Sequence, residues 1–126
     1  MLNEIGHIEY DGVKYPYVFD INVIEIVQKE YGSITNIINE LESMDGWAKP
    51  LKFVLREMIN EAIDIQNELG RDDKLEFITL KKAGRIATVE FQMDSVIKRA
   101  CLAEKIVKTL ISEDAINKSE NQRKNQ

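Results

Sequence analysis

An Asp-Gly pair between two β-rich runs restricts the fold of this chain more than any other feature. The pair is Asp11-Gly12, and the runs cover residues 5–10 and 13–19. A type I′ turn needs positive φ at both of its central positions, which aspartate tolerates and glycine adopts freely. The pattern therefore predicts an N-terminal β-hairpin closed by a two-residue loop.

The loop length also predicts which residues of the hairpin lie opposite one another. Side chains alternate across a strand, so one face, which we expect to be core, should consist of Ile8, Tyr10, Val13, Tyr15 and Tyr17. The alternative is that this aromatic face contacts a partner. Pro16 cannot donate a ladder hydrogen bond, so its amide side should lie at an edge. The predicted pairs are Tyr10 with Val13, Glu9 with Lys14, and Ile8 with Tyr15.

The next two segments have helical periodicity and recognisable end signals. Asp20 or Asn22 can cap the first helix, and Gly32 suits its end. Ser33 can cap the second helix, and the Asp-Gly pair at 45–46 ends it. The apolar face of the second helix consists of Ile34, Ile37, Ile38, Leu41 and Met44.

The third predicted helix has the widest apolar stripe. Pro50 suits its first turn, and Gly70 ends it. Ile59 and Ile63 widen the stripe, so we expect this helix to be central in the fold. The stripe itself consists of Leu51, Val54, Leu55, Met58, Ala62, Ile65 and Leu69.

Two further helical segments are predicted after the charged stretch 71–74. Thr79 can cap a short one reaching about Ala87, in which Gly84 either weakens the helix or marks a close contact. A long helix follows over residues 88–115, with apolar residues spaced by 4 and 3. This heptad seam packs within the domain or, alternatively, pairs with another subunit. The seam consists of Val89, Met93, Val96, Ala100, Ala103, Val107 and Leu110.

These elements together predict a mainly α (α+β) fold in a single domain over residues 1–116. An N-terminal β-hairpin is followed by about four to five packed helices, the last one long. The final ten residues, 117–126, have no hydrophobic side chain and are expected to be disordered. They hold three basic groups and one acid, which leaves 14 basic and 21 acidic side chains, a net charge of −7, in residues 1–116.

Composition excludes several classes of function. The net charge of −5 disfavours a nucleic-acid binder, which needs an excess of Lys and Arg. One His and one Cys cannot build a zinc site or an internal disulfide, so we expect no metal and no cofactor. No apolar run approaches the ~20 residues of a membrane span. We find no P-loop, dinucleotide fingerprint or nucleophile elbow, and we expect no enzymatic activity.

Two features could contact a partner. Four acids spaced by 4, 3 and 4 lie along one edge of the third helix. A solvated face is the favoured interpretation of this edge, and a surface for a basic partner segment is the alternative. Trp47 precedes the same helix and is expected to cover the core or, if exposed, to anchor a partner. The four acids, which we call the acidic edge, are Glu57, Glu61, Asp64 and Glu68.

Three strings carry a family resemblance: IGHIEYDGVKYPYVFDINVIEIVQKEYGSI at 5–34, LKFVLREMINEAIDIQNE at 51–68 and ITLKKAGRIAT at 78–88. In this order they resemble the tail assembly chaperones of long-tailed phages and prophages of Gram-positive bacteria. In that family a hairpin of the type x-I-x-Y-D-G-x-x-Y-P leads into a helix ending in YGS. A helix with MINEAIDI and a short LT-x-x-x-x-G-R segment follow, so the match covers roughly residues 5–95.

The resemblance implies a non-enzymatic protein of the host bacterial cytoplasm that is absent from the mature virion. Such proteins coat the tape measure protein, help to recruit tail tube protein and form homo-oligomers. The alternatives are a structural tail component that stays in the particle, or a small regulatory protein. DNA recognition is disfavoured because residues 88–94, the start of the predicted long helix, contain two acids and no base.

Overall fold

The protein is a small two-stranded sheet followed by helices. The computed structural model describes residues 5–70 and 74–90. The mainly α class with an N-terminal hairpin is thereby confirmed. The elements in these ranges are β1 (Gly6–Tyr10), β2 (Val13–Tyr17), α1 (Ile21–Tyr31), α2 (Ile34–Glu42), α3 (Ala48–Glu68) and α4 (Leu80–Glu90).

The hairpin has the predicted turn and the predicted register. Asp11 and Gly12 have φ of 52° and 76°, as a two-residue type I′ loop requires. All three predicted pairs are present, and pairing continues to Gly6 opposite Tyr17. Ile8 and Tyr15 are buried, so the aromatic face is core. Because β1 and β2 are the only strands among the described residues, Pro16 lies at an edge, as predicted.

Local side-chain bonds define both ends of α1. The Asp20 carboxylate accepts a hydrogen bond from the Val23 backbone N–H at 3.1 Å, so Asp20 and not Asn22 is the N-cap. Gly32 ends the helix with φ of 85°, and its N–H donates to the Gln28 carbonyl at 2.8 Å.

Helix α2 begins as predicted but ends earlier. The Ser33 hydroxyl accepts from the Asn36 N–H at 3.1 Å and caps the helix. The helix stops at Glu42, because the Ser43 hydroxyl accepts from the N–H groups of both Asp45 and Gly46 and folds the chain into a turn. Met44, predicted on the apolar face, is therefore outside the helix and 80% exposed.

Helix α3 is the centre of the fold. It packs against α1, α2, α4 and β2, and the middle of its apolar stripe is buried. The stripe fades at the C-terminal end, where Leu69 is 69% exposed before Gly70 ends the helix with φ of 72°. The Val18 N–H, just after β2, donates to the Met58 carbonyl of α3 at 3.2 Å and ties the hairpin to this helix.

Helix α4 extends past the predicted break between Ala87 and Thr88. Thr79 caps it as predicted, since its hydroxyl accepts from the Lys82 N–H at 3.1 Å. Thr88 starts no new helix: it lies inside α4, and its hydroxyl donates to the Gly84 carbonyl at 2.8 Å. The absence of a side chain at Gly84 allows close approach to α3, because a Cβ there would lie 2.9 Å from Lys52 Cδ.

Several predictions lie outside the described residues. These are the seam after its first residue (Met93, Val96, Ala100, Ala103, Val107 and Leu110), the domain end at 116 and the segment 117–126. Within the described ranges, no helix combines the length and apolar character needed to cross a membrane.

Candidate functional site

The four residues of the acidic edge lie in three different surroundings. Glu57 is half-buried and pairs with Arg56 of the same helix, with 2.8 Å between Glu57 Oε1 and Arg56 Nη2. Glu61 faces the start of α1. Asp64 and Glu68 are exposed, and neither has a hydrogen bond or ion pair with another described residue. Only the C-terminal half of the edge is therefore a solvated face.

Glu61 lies in a small polar junction between α3 and α1. The Asn22 amide donates to Glu61 Oε2 at 2.6 Å, and the carboxyl groups of Glu61 and Asp20 share a hydrogen bond. Burial raises the pKa of Glu61 to about 7, as do the bond with Asp20 and the charges of Asp20 and Asp64, while Asn22 opposes the shift. Below about pH 7 Glu61 is thus mainly protonated, and its O–H can donate a hydrogen bond to the Asp20 carboxylate.

This junction is suited to joining two helices. Asp20 already accepts the Val23 N–H, so its carboxylate links the first turn of α1 to Glu61. No cluster of three or more His, Cys, Asp or Glu able to hold a metal exists among residues 5–70 and 74–90. The geometry favours a proton-dependent structural contact.

The two apolar partner candidates that can be placed differ in exposure. Trp47 is half-buried at the start of α3 and packs against the core, in the position expected of a residue that covers a helix junction. Val89, the first residue of the seam, is 56% exposed on the last turn of α4. Contact of either residue with a partner stays a prediction.

Helix α4 carries three cations, Lys81, Lys82 and Arg85, and Lys82 is half-buried against the hairpin. Its Nζ lies 5.2 Å from the ring centre of Tyr10 and 5.9 Å from that of Tyr15, which are cation–π contacts between α4 and the hairpin. Lys81 and Arg85 are exposed. On this helix, Lys81 and Arg85 are therefore the two basic side chains that are exposed enough to contact phosphates.

A cleft that the sequence did not predict lies where α1 ends and α2 and α3 begin. Its volume is about 580 Å³, within the range of ligand pockets. Tyr31, the last residue of α1, forms part of its wall, and we call it the Tyr31 cleft. Helical periodicity contains no signal for a cavity formed by the ends of three separate helices. The lining residues are Glu30, Tyr31, Asn36, Asn39, Glu40, Gly46, Lys49 and Pro50.

Comparison with protein-family models, curated proteins and solved structures gave no match to this chain.

Proposed function

We propose that this protein is a non-enzymatic tail assembly chaperone of a long-tailed phage or prophage. It binds the tape measure protein in the bacterial cytoplasm and helps to recruit tail tube protein. The observation that carries the proposal is the order of the three family-like strings over residues 5–88.

The described elements coincide with those strings. The Asp11-Gly12 turn closes a hairpin, and the YGS string contains the end of α1 at Gly32 and the cap of α2 at Ser33. The second string lies within α3, and most of the third lies in α4. This correspondence supports the proposal because the strings mark local structure that a related fold would share.

Surface chemistry gives further support. A tape measure protein is long and largely helical, so its chaperone needs apolar contacts and an acidic exterior that keeps the complex in solution. Leu69, Phe77 and Val89 are each more than half exposed, and the net charge is −5. Self-association through apolar faces would supply the several copies that one long client needs.

A pull-down tests the binding step. The tagged full chain is mixed with purified fragments of the tape measure protein encoded in the same gene cluster, at low and at moderate salt. We expect recovery of at least one helical fragment, and weaker recovery with Phe77→Ser, which removes exposed apolar surface. Thr35→Ser, an exposed polar change on α2, is the matched control. Failure to recover any fragment at either salt concentration contradicts the proposal.

Mass spectrometry of purified virions separates this function from the structural alternative. A chaperone leaves the tail when assembly is complete, so its peptides should be missing from particles whose tube and tape measure proteins are detected. Stoichiometric amounts of this chain in the particle would instead favour a structural tail component.

A further inference from the structure

Contacts with neighbouring residues hold Tyr31, which forms part of the wall of the Tyr31 cleft, in place. The Phe53 ring of α3 meets the Tyr31 ring edge-on, with 5.5 Å between centroids and 69° between planes. Arg56 lies over the Phe53 ring at 5.6 Å. The Asn36 amide donates to the Tyr31 carbonyl at 2.8 Å and holds the α1–α2 turn against the cleft. These contacts pre-organise the wall before any ligand arrives.

The cleft is negative around the Tyr31 hydroxyl. Burial raises the pKa of Tyr31, and the charges of Glu40 and Glu30 raise it further. The side chains of Glu30 and Glu40 have no hydrogen bond or ion pair with other described residues, and Lys49 is the only cation among the lining residues. The lining of the cleft thus carries two carboxylates, one ammonium group and the Tyr31 ring.

We infer that the Tyr31 cleft binds a cationic side chain, arginine or lysine, presented by a partner polypeptide. Carboxylates form charge-assisted hydrogen bonds with such groups, and a tyrosine supplies both an acceptor oxygen and a ring that attracts cations. An anionic ligand is disfavoured because it would meet two like charges. The inference does not depend on the proposed function, since the cleft selects a charge and not a named partner.

Amide NMR of the full chain tests this with a matched pair of probes. One is the blocked pentapeptide Gly-Ser-Arg-Ser-Gly, and the other has citrulline, the uncharged analogue, in place of arginine. We expect saturable shifts at Tyr31, Asn36 and Gly46 with the arginine peptide and not with the citrulline peptide. Equal shifts with both peptides, or no saturable shift up to the solubility limit, overturn the inference.

Three variants assign the effect to the cleft. Glu40→Gln should weaken binding of the arginine peptide about two- to fivefold, as expected for an exposed ion pair. Glu42→Gln, which removes an exposed acid on the same helix outside the cleft, is the control and should leave affinity unchanged. Lys49→Gln removes the competing cation and should strengthen binding. Equal losses in Glu40→Gln and Glu42→Gln would show attraction by overall charge alone and contradict the inference.

Discussion

At Glu61, a carboxyl group of α3 meets two side chains from the start of α1. The contact with Asn22 joins residues 39 positions apart, and Asp20 completes the junction. The spacing of the acidic edge predicted that Glu61 lies with three other acids but not what it contacts. Periodicity reports the faces of one helix, whereas this contact depends on how two helices pack.

Replacing Glu61 by glutamine should make the free energy of unfolding less dependent on pH. The folded-state pKa is about 7 against an ordinary value of 4.5, so the folded protein holds the Glu61 proton more tightly than the unfolded chain. The stabilising contribution is complete below about pH 4.5 and is lost as pH rises through about 7. Glu61→Gln cannot ionise and should not lose this contribution, as measured by urea unfolding from pH 4 to pH 8.

Glu68→Gln is the matched control for that experiment. Glu68 is exposed on the same edge and contacts neither Asp20 nor Asn22, so the variant should follow the wild-type pH profile. The interpretation of the junction fails if Glu61→Gln loses as much stability as the wild type over this pH range.

Gly6 in β1 has no side chain, and this leaves room for the ring of Tyr17. The Tyr17 ring lies over Gly6 from the opposite strand, in the space that a Cβ would occupy. Gly6→Ala must displace that ring and should destabilise the protein by about 1–3 kcal/mol, the usual cost of overpacking. Thermal unfolding measures the loss, and Gly84→Ala is the comparison.

At Gly84 the obstacle is the flexible Lys52 side chain, which can move aside. The gain in helix propensity, about 0.5–1 kcal/mol, should then offset the contact. A larger loss for Gly84→Ala than for Gly6→Ala would contradict this account of the two glycines.

At the scale of elements, the ends of strands and helices were predicted correctly where they depend on neighbouring residues in the sequence. The hairpin turn, the Ser33 and Thr79 caps and the glycine ends of α1 and α3 depend on a few consecutive residues. The predicted end of α2 was wrong because the Ser43 hydroxyl accepts hydrogen bonds from the N–H groups of Asp45 and Gly46, so the turn begins before the Asp-Gly pair. The predicted break between two helices at Thr88 was wrong. Threonine often caps helices, but it also fits inside a helix when its hydroxyl donates to a carbonyl of the preceding turn, as Thr88 does to Gly84.

Asn60 attaches the segment before α4 to α3. Its side-chain oxygen accepts the Ile78 N–H at 2.8 Å, and its amide donates to the Ile78 carbonyl at 3.1 Å. Asn60→Ala leaves both backbone groups without this partner and should cost about 2 kcal/mol, measured by denaturant unfolding. Asn39→Ala, at an exposed amide with no hydrogen bond to another described residue, should change stability by less than about 0.5 kcal/mol. Equal costs would contradict the assigned role of Asn60.

At the scale of the whole molecule, α3 supports both candidate surfaces. Its first turn and Phe53 support the Tyr31 cleft, and its middle forms the junction at Glu61. The sequence predicted that α3 is central, because a wide apolar stripe must be covered on several sides. It did not predict the cleft, which exists only where the ends of three helices meet.

The proposed function also predicts self-association. Native mass spectrometry of the full chain should give species at multiples of its 14.5 kDa mass, in keeping with the several copies that a long client needs. A strictly monomeric protein at the highest soluble concentration would contradict the predicted homo-oligomer, and with it the alternative in which the seam beginning at Val89 pairs with another subunit.

Co-expression with the tape measure protein tests the central claim most directly. The measurement is the fraction of tape measure protein that stays in the supernatant after high-speed centrifugation, with and without this chain. If the protein is its chaperone, the soluble fraction should rise several-fold and the two proteins should co-elute. An unchanged soluble fraction, with this chain well expressed and folded, would contradict the account.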